Sequence, residues 1–364
     1  MSITRTRGLA AVMIAGALAL TACGSDGGSA TDSGTGTGSG SITCVKGSIK
    51  ASGSSAQKNA MAEWVNAYQA ACPDSTIDYQ ATGSGAGVTD FINGQTAFAG
   101  SDSALKPEEQ PQADARCKTG AAINIPMVGG AIVLAYNIDG VDKLTLTPDL
   151  IAGIFNSSIT KWNDPKIAAA NSGVTLPDAT IAQFHRSDES GTTDNFTKFL
   201  KAQAAGIWTY EGGKAWSAPG GQGAKGSDGV ATAVKDTKNS VGYVELSFAL
   251  DGALKTASVD NGSGAIEPTS ETAAKTISGA TIKGTGNNLA LSIDYGVKDS
   301  YPIVLLTYEI TCEKGLTGVD LELTKAFLSY TASDDGQSKL TEIGYVPISG
   351  DLITKVRGAV SAIA

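Results

Sequence analysis

Residues 185–193 combine the residue types that bind an oxyanion, in the order HRSDESGTT. They lie between a predicted strand at residues 181–184 and a predicted helix. Ser190, Gly191 and Thr192 would therefore lie at the N-terminus of that helix, where unpaired backbone N–H groups and the helix dipole favour an anion. The hydroxyl groups add further donors. The segment thus predicts a site for an anion with several oxygen atoms.

Arg186 and Asp188 in the same segment are suited to recognise two oxygen atoms at once. The guanidinium of Arg186 is a planar fork of N–H donors, and Asp188 is close enough in sequence to hold that fork in place. Only two other arginines, Arg116 and Arg357, follow residue 22. The alternative interpretation of the pattern is an N-capped helix with a surface ion pair.

Three other loops place small and hydroxyl-bearing residues where a predicted strand ends. They are residues 53–55 (GSS), 83–85 (GSG) and 101–102 (SD). Each loop alone is typical of helix capping or of a turn. The two glycine-rich loops match neither GxxxxGK(S/T) nor GxGxxG followed by an acidic residue, so they do not indicate a nucleotide site. Together with residues 185–193, they are four loops that could face one cleft.

The elements that position these loops follow an α/β order of strand, small-residue loop and helix. An apolar stripe at Met61, Trp64 and Tyr68 predicts a helix after the first loop. Two long apolar segments, at about residues 125–136 and 302–310, predict strands that join two lobes and form a hinge. The sequence therefore predicts an α/β fold with loops at the carboxyl ends of its strands.

The composition excludes several classes of protein. The chain has 364 residues, a formal charge of −9, 41% apolar residues and 17% charged residues, which fits neither an acidic disordered tail nor a basic nucleic-acid-binding protein. The length allows about two domains. Because His185 is the only histidine, a histidine-rich metal site is impossible, and we expect no metal.

The first 22 residues are typical of an export signal. Two arginines precede an apolar run at residues 9–20, which is too short to span a bilayer but fits the core of a signal peptide. The sequence LTAC, which ends at Cys23, resembles a bacterial lipobox, where cleavage precedes a cysteine whose sulfur carries a diacylglycerol. Residues 23–41 would then be a lipid-anchored Gly/Ser-rich linker. The alternative is an ordinary secretory signal with an incidental cysteine.

Four further cysteines, at positions 44, 72, 117 and 312, predict two disulfides in an exported protein. Three connectivities are possible. We favour Cys72–Cys117 and Cys44–Cys312, because the second bond would tie the start of the fold to a strand that returns late in the chain. No CxxC motif is present, so neither a thioredoxin-like site nor a zinc site is indicated.

In these motifs the chain resembles the phosphate-binding subunit of bacterial phosphate ABC transporters, in its actinobacterial lipoprotein form. The resemblance extends over about residues 45–360. Its most specific element is the Arg-Ser-Asp-x-Ser-Gly-Thr motif at residues 186–192. The other matching segments include GSS at residues 53–55, YQATGSGAG at 79–87, AGSD at 99–102, TKWNDP at 160–165 and VGYVE at 241–245.

The resemblance implies a two-lobed fold like that of periplasmic binding proteins, which closes on one phosphate ion. Each lobe would be a mixed sheet flanked by helices, and two crossover strands would join the lobes. Lobe I would comprise residues 42–130 and 306–364, and lobe II residues 131–305. The family binds without catalysis and has no cofactor.

The resemblance also implies which residues bind phosphate. They would be Ser55, Ala56, Ser84, Asp102, Arg186, Ser190, Gly191 and Thr192, with Asp188 behind Arg186. Asp102 would accept the proton that phosphate retains near pH 7, whereas sulfate would present only lone pairs to this carboxylate. Family members often carry an aromatic residue at the position of Ala56, so the packing on that side of the pocket differs here.

The function that the resemblance implies is the capture of inorganic phosphate at the outer face of the cytoplasmic membrane. The phosphate would pass to the permease and ATPase subunits of an ABC importer, and no nucleic acid is expected as a partner. A receptor for another tetrahedral oxyanion, such as sulfate, molybdate or phosphonate, is the nearest alternative. A cell-surface hydrolase that pairs His185 with Ser190, and a structural surface lipoprotein, are alternatives from other classes. No GxSxG motif supports the hydrolase.

Overall fold

The computed structural model describes residues 42–364 of the chain. The predicted export signal at residues 1–22, the lipidation site at Cys23 and the linker at residues 23–41 lie outside the described residues.

Residues 42–364 form twelve helices and fifteen strands, several of them only two residues long. The helices are α1 (Lys58–Ala71), α2 (Ser84–Ile92), α3 (Gln110–Cys117), α4 (Pro148–Phe155), α5 (Pro165–Ala170), α6 (Gly191–Gln203), α7 (Gly226–Asp236), α8 (Leu246–Asp251), α9 (Ser270–Ser278), α10 (Gly318–Thr331), α11 (Asp334–Ser338) and α12 (Gly350–Ser361). The strands are β1 (Gly47–Gly53), β2 (Ser75–Gln80), β3 (Phe98–Ser101), β4 (Ala122–Asn137), β5 (Thr145–Leu146), β6 (Ala182–Arg186), β7 (Gln222–Ala224), β8 (Ser240–Glu245), β9 (Lys255–Thr256), β10 (Ser258–Asp260), β11 (Ala265–Ile266), β12 (Thr281–Ile282), β13 (Leu291–Ser292), β14 (Val304–Cys312) and β15 (Tyr345–Pro347).

Ten of these strands form one mixed sheet. Its order is β2-β1-β3-β14-β4-β8-β6-β7, and β15 and β9 also pair with β4. β1 pairs in parallel with β2 and β3, and β6 pairs in parallel with β7 and β8. β14 and β4 lie antiparallel to their neighbours in the middle of the sheet. The alternation of these strands with helices confirms the predicted α/β fold.

The long strand β4 changes its pairing partner part of the way along. Residues 122–131 pair with β14, and residues 132–137 pair with β8. Every residue of β4 except Asn137 is buried, as expected for a strand that is covered on both faces. The long strand predicted near residues 125–136 is therefore confirmed. The second predicted segment is β14, which begins and ends two residues later than predicted.

The glycine pair within β4 lets other elements pack close against this strand. A Cβ atom on Gly129 would lie 2.5 Å from Ile277 Cδ1 of α9, and one on Gly130 would lie 3.0 Å from Glu245 Oε1. The strand β15 pairs with the same two positions. The glycines therefore continue the strand instead of breaking it, because a larger side chain would separate β4 from α9 and from the end of β8.

The helix α1 forms where the apolar stripe predicts it. Met61, Trp64 and Tyr68 are buried, and the indole N–H of Trp64 donates to the carbonyl oxygen of Gly336 at 2.5 Å. The helix ends at Ala71, because Cys72 precedes a proline and is disfavoured in helical conformation. No helix within residues 42–364 combines the length and the apolar character that crossing a membrane requires.

The predicted number of disulfides is confirmed, but the predicted pairing is wrong. The structure joins Cys44 to Cys72 and Cys117 to Cys312, not Cys72 to Cys117 and Cys44 to Cys312. The register of the parallel pair β1 and β2 sets Gly47 opposite Ser75, so the cysteines three positions before each are neighbours, with Cα atoms 5.3 Å apart. The second bond links the end of α3 to the end of β14, with Cα atoms 5.4 Å apart.

Candidate functional site

The loops that follow β1, β3 and β6 meet beside the N-termini of α2 and α6. The side-chain oxygen of Ser84, the first residue of α2, accepts a hydrogen bond from the backbone N–H of Asp102 at 3.2 Å. A Cβ atom on Gly191, the first residue of α6, would lie 2.6 Å from Asp102 Cβ and 2.8 Å from Ser84 Oγ. Only glycine fits at this position. The first loop joins them, since the backbone N–H of Gly83 donates to the carbonyl of Gly53 at 2.7 Å, so the structure brings all four predicted loops into direct contact.

Asp102 is buried among these loops and accepts hydrogen bonds from three hydroxyl groups. Its Oδ1 accepts from Ser54 and, at 2.9 Å, from Thr307, while its Oδ2 accepts from Thr192 at 3.2 Å. An ionised carboxylate has about four acceptor positions, so one position on Oδ2 is left. Burial raises the pKa of Asp102, although the three hydroxyls and the charge of Arg186 act to lower it.

Arg186 is buried beside Asp188, and its side chain is only 2% exposed. Its Nε donates to Asp188 Oδ1 at 2.7 Å and its Nη2 donates to Oδ2 at 2.5 Å, so one edge of the guanidinium is fixed. The Asp188 carboxylate also accepts from the backbone N–H of Gly226 at 3.0 Å. Burial acts to raise the pKa of Asp188, but the hydrogen bonds and charge of Arg186 outweigh it and lower that pKa. Three of the five N–H groups of Arg186 have no acceptor within residues 42–364 and are available to a ligand.

The N-terminus of α6 supplies a second group of donors. Ser190 is its N-cap, and the Ser190 side-chain oxygen accepts from the backbone N–H of Thr193 at 3.2 Å. Gly191 and Thr192 are the first two residues of the helix, so their N–H groups have no acceptor within it. These residues are buried. An anion at this position would meet amide donors and the positive end of the helix dipole.

The first loop carries Ser55 and Ala56, whose polar groups have protein partners. Ser55 Oγ accepts from the backbone N–H of Ser227 at 3.0 Å and lies 3.1 Å from Ser227 Oγ. The N–H of Ala56 donates to Ser54 Oγ at 3.1 Å, and its carbonyl accepts from the hydroxyl of Tyr345 at 2.5 Å. The structure therefore places both predicted residues next to the site, with their hydrogen-bonding groups engaged by protein.

A second buried carboxyl group, that of Glu309 on β14, lies close to the same loop. Its oxygens are buried and make no well-formed hydrogen bond among the described residues, although the side chain of Gln57 lies close enough to lower the pKa slightly. The hydroxyl of the neighbouring Tyr79 donates to the carbonyl of Ser54 at 2.8 Å and accepts from Gln57 Nε2 at 3.0 Å. Burial raises the pKa of Glu309 to about 8, and the charge of Asp102 acts in the same direction. Glu309 is therefore mostly protonated and neutral at pH 7.

Four further residues belong to the site but are not among the predicted ligands. Ser54 lies within the predicted loop 53–55, whereas Asn195, Ser227 and Thr307 lie outside the predicted loops. Ser54 and Ser227 carry a usable signal, because each follows a glycine where the chain turns toward a helix. Asn195 donates from Nδ2 to the carbonyls of Asp102 (2.7 Å) and Gly191 (2.9 Å), a role that its place inside a helix does not reveal. Thr307 has no signal, because it is one residue of an otherwise ordinary buried strand.

His185 contacts an aromatic ring and the backbone, not the serine that a hydrolase would require. Its ring stacks on Trp216, with ring centroids 4.8 Å apart and an interplanar angle of 9°. Its Nδ1 lies 3.0 Å from the carbonyl oxygen of Arg186. Its ring nitrogens bond to no serine in residues 42–364, so this geometry gives no support to a nucleophile–base pair with Ser190.

The chain is similar to known proteins over most of its length. Residues 28–335 match the family model of the PBP superfamily domain. The chain is 44% identical to the phosphate-binding protein PstS 3 of Mycobacterium tuberculosis, over 375 residues that cover 100% of both chains. It is 33% identical to the phosphate-binding protein PstS of Xylella fastidiosa, over 85% of this chain and 84% of that one. A solved phosphate-binding protein from Stenotrophomonas maltophilia matches with a TM-score of 0.66 at 20% identity, over 86% of this chain and 93% of that one, which shows a shared fold.

Proposed function

This chain belongs to the phosphate-binding proteins of the PBP superfamily, and we propose that it captures inorganic phosphate outside the cytoplasm. The bound ion then passes to the permease of an ABC importer, whose ATPase subunits drive its uptake. The protein acts as a receptor that is used repeatedly, so its task is to bind one ion selectively and to release it at the membrane.

The observation that carries this proposal is the unfilled acceptor position on Asp102 Oδ2, next to the free donors of Arg186 and α6. Phosphate near pH 7 is a mixture of monoanion and dianion, and both forms retain a proton. That proton fills the acceptor position, while the other oxygens accept from N–H and O–H groups. Fully ionised sulfate has no proton to offer, and a site that leaves a buried polar group unpaired can discriminate by a factor of about 10⁴–10⁵.

Five of the proposed contacts come from groups that are free or partly free in this structure. Asp102 accepts the phosphate proton, and Arg186 donates from the edge that Asp188 leaves open. Ser190, Gly191 and Thr192 donate from the start of α6, where amide and hydroxyl donors are close together.

The remaining proposed contacts come from Ser84, Ser55 and Ala56. Ser84 Oγ already accepts from Asp102 N–H, so its own hydroxyl hydrogen is available to an anion. The hydroxyl of Ser55 and the amide of Ala56 bond to Ser227 and Ser54 here. An arriving phosphate would replace these two interactions with stronger hydrogen bonds to a charged acceptor.

We also propose that residues 42–130 with 306–364, and residues 131–305, act as two lobes that close on the ion. The change of partner along β4 falls at residues 131 and 132, next to this boundary. Loops of the two proposed lobes touch, since Gly85 N–H donates to the carbonyl of Glu189 at 3.0 Å and Ser103 Oγ donates to Asp194 Oδ2 at 2.5 Å. These contacts between the loops support the assignment of the structure to the closed form, in which the site would be shielded from water.

The proposed location is the outer face of the cytoplasmic membrane, with a lipid on Cys23. The sequence LTAC at residues 20–23 supports cleavage and acylation there. The following 18 residues, rich in glycine and serine, would link this anchor to the folded part.

We propose that the protein binds phosphate without catalysing a reaction. A hydrolase would need a nucleophile activated by a base, and His185 is engaged with Trp216 and with the backbone.

Titration of the anchor-free protein with phosphate, arsenate, sulfate, molybdate and a phosphonate tests the proposal. Calorimetry should show one phosphate per chain and similar binding of arsenate, which also keeps a proton near pH 7. Sulfate should bind at least a thousandfold more weakly. Equal binding of sulfate, or tighter binding of molybdate or of a phosphonate, would assign the site to another oxyanion.

A further inference from the structure

Lys214 is an unusual lysine, because its side chain is only 2% exposed. It lies in the segment between α6 and β7, which contains several glycines and no regular element. Removing an ammonium group from water is unfavourable unless a partner compensates for its lost hydration. A charge that is buried in so irregular a segment therefore indicates a specific ionic partner.

That partner is Glu109, 105 residues earlier in the chain. The ammonium nitrogen of Lys214 lies 3.1 Å from Glu109 Oε1 and 3.4 Å from Oε2. Glu109 is itself held in place, since its Oε2 accepts from the backbone N–H of Lys106 at 2.8 Å. The Glu109 side chain is 19% exposed, so one side of the pair keeps some contact with water.

Each member of the pair is connected to one part of the phosphate site. The carbonyl of Lys214 accepts the backbone N–H of Ser190 at 2.9 Å, so the lysine is fixed to the N-cap of α6. Glu109 lies seven positions after Asp102, at the end of the loop that follows β3. The ion pair thus joins the segment that carries Asp102 to the segment that carries Ser190, across the boundary between the two proposed lobes.

We propose that Lys214 and Glu109 form a buried latch that holds the closed form together and slows the release of phosphate. This proposal rests on the proposed function. When the lobes separate, both charged groups return to water. When the lobes close, the pair forms in a shielded position where salt screens it little. Lys214 does not touch the anion, so it is a positioning residue that acts through the closed form and through Ser190.

A second ion pair crosses the same boundary and provides a matched control. Lys58 Nζ lies 3.0 Å from Asp228 Oδ2, a distance similar to that of the latch, but the two side chains are 47% and 57% exposed. Exposed pairs contribute little because water and salt screen them. The two pairs therefore differ mainly in burial, and only the buried one should influence release.

The test is the rate at which bound ³²P-labelled inorganic phosphate leaves the protein during a chase with unlabelled phosphate. Lys214→Met keeps the unbranched apolar stem of the side chain and removes its charge. Loss of one partner of a buried charge pair typically corresponds to about a 30-fold or larger increase in the dissociation rate. We expect roughly 30-fold for Lys214→Met, and less than a threefold change for Lys58→Met. The association rate and the melting temperature of the phosphate-free protein should change little. A purely structural role for Lys214 would instead lower that melting temperature.

A second variant keeps the proposal testable if Lys214→Met does not fold. Glu109→Gln removes the charge but preserves the acceptor for the N–H of Lys106, and it should also accelerate release. The double variant should release phosphate no faster than Lys214→Met, because no unpaired charge is left buried. Dissociation rates of folded variants that equal the wild-type rate would overturn the latch. Failure of the wild-type protein to bind phosphate at all would instead overturn the proposed function.

Discussion

Replacing Asp102 with asparagine changes one acceptor of the site into a donor at almost constant size. The asparagine oxygen can take the place of Oδ1 and accept from Ser54 and Thr307, as the carboxylate does. The amide nitrogen then takes the place of Oδ2, where it faces Thr192 and the position of the anion. One N–H can donate to Thr192 Oγ1 after its hydroxyl rotates, and the other points at the ion. Phosphate and sulfate both accept such a hydrogen bond.

The expected effect is a change in selectivity. In the wild-type site, a sulfate oxygen meets the carboxylate with no hydrogen between them, and an unpaired buried polar group costs about 1–3 kcal/mol, with more for charged groups. Removing that penalty should lower the preference for phosphate over sulfate by about 10- to 100-fold, since each 1.4 kcal/mol is tenfold. In this variant, phosphate loses an acceptor for its proton but gains a donor for one of its oxygens. Because these two changes offset each other, the affinity for phosphate alone is a weaker test than the preference.

Competition titrations at pH 7 and fixed ionic strength measure the ratio directly. Sulfate displaces labelled phosphate from the wild type and from Asp102→Asn, and the two inhibition constants are compared. Asp90→Asn is the matched control, because it removes one negative charge from α2 at a residue outside the site. Its ratio should equal that of the wild type. A phosphate-to-sulfate preference of Asp102→Asn within twofold of the wild-type value would show that another group recognises the phosphate proton.

Three further predictions concern Arg186, Cys23 and Glu309. Arg186→Ala should weaken phosphate binding by about 30- to several-thousandfold, as expected for loss of a buried charged donor, and a calorimetric change below threefold would remove Arg186 from the site. Cys23→Ser should release the protein from membranes into the soluble fraction. Wild-type protein that pellets with membranes but has no acyl mass on the cysteine would contradict the anchor. Because burial raises the pKa of Glu309 to about 8, the unfolded chain loses this proton at lower pH than the folded protein, and stability falls as pH rises from about 4.5 to about 8. Glu309→Gln should therefore be more stable than the wild type by about 3 kcal/mol at pH 7, as measured by urea unfolding. The two proteins should be equally stable near pH 4.5. A stability difference that does not change with pH would refute a raised pKa at Glu309.

The parts of the fold that the sequence predicts are those set by local pattern. The stripe at Met61, Trp64 and Tyr68 determines a helix because residues three and four apart share one face. The apolar run that becomes β4 is long and uninterrupted by charge, so a buried strand is its natural state. The segment at residues 185–193 combines a strand end with a helix N-cap, and that local arrangement is enough to indicate an anion site.

The parts that the sequence does not predict depend on how distant strands align. The disulfide between Cys44 and Cys72 follows from the register of β1 on β2, which only the assembled sheet defines. Thr307 reaches Asp102 because β14 lies next to β3, although the two are separated by about two hundred residues. Lys214 lies in a segment without periodicity, so its burial and its partner are invisible before the chain is folded. In each case the missing information is a contact between segments far apart in sequence.

A protein with a net charge of −9 needs a source of anion affinity other than overall charge. The positive charge of Arg186 is offset by Asp188, and Asp102 adds a negative charge, so these three side chains together do not attract an anion by net charge. Binding must therefore come from short-range donors: the free N–H groups of Arg186, the first amides of α6 and the surrounding hydroxyls. Such donors act only at hydrogen-bonding distance, which makes closure of the two proposed lobes a condition of tight binding. In the proposed mechanism, selectivity and residence time depend on different groups. Asp102 would recognise the proton of the ion, and contacts between the proposed lobes, the proposed latch among them, would determine how long the ion stays bound.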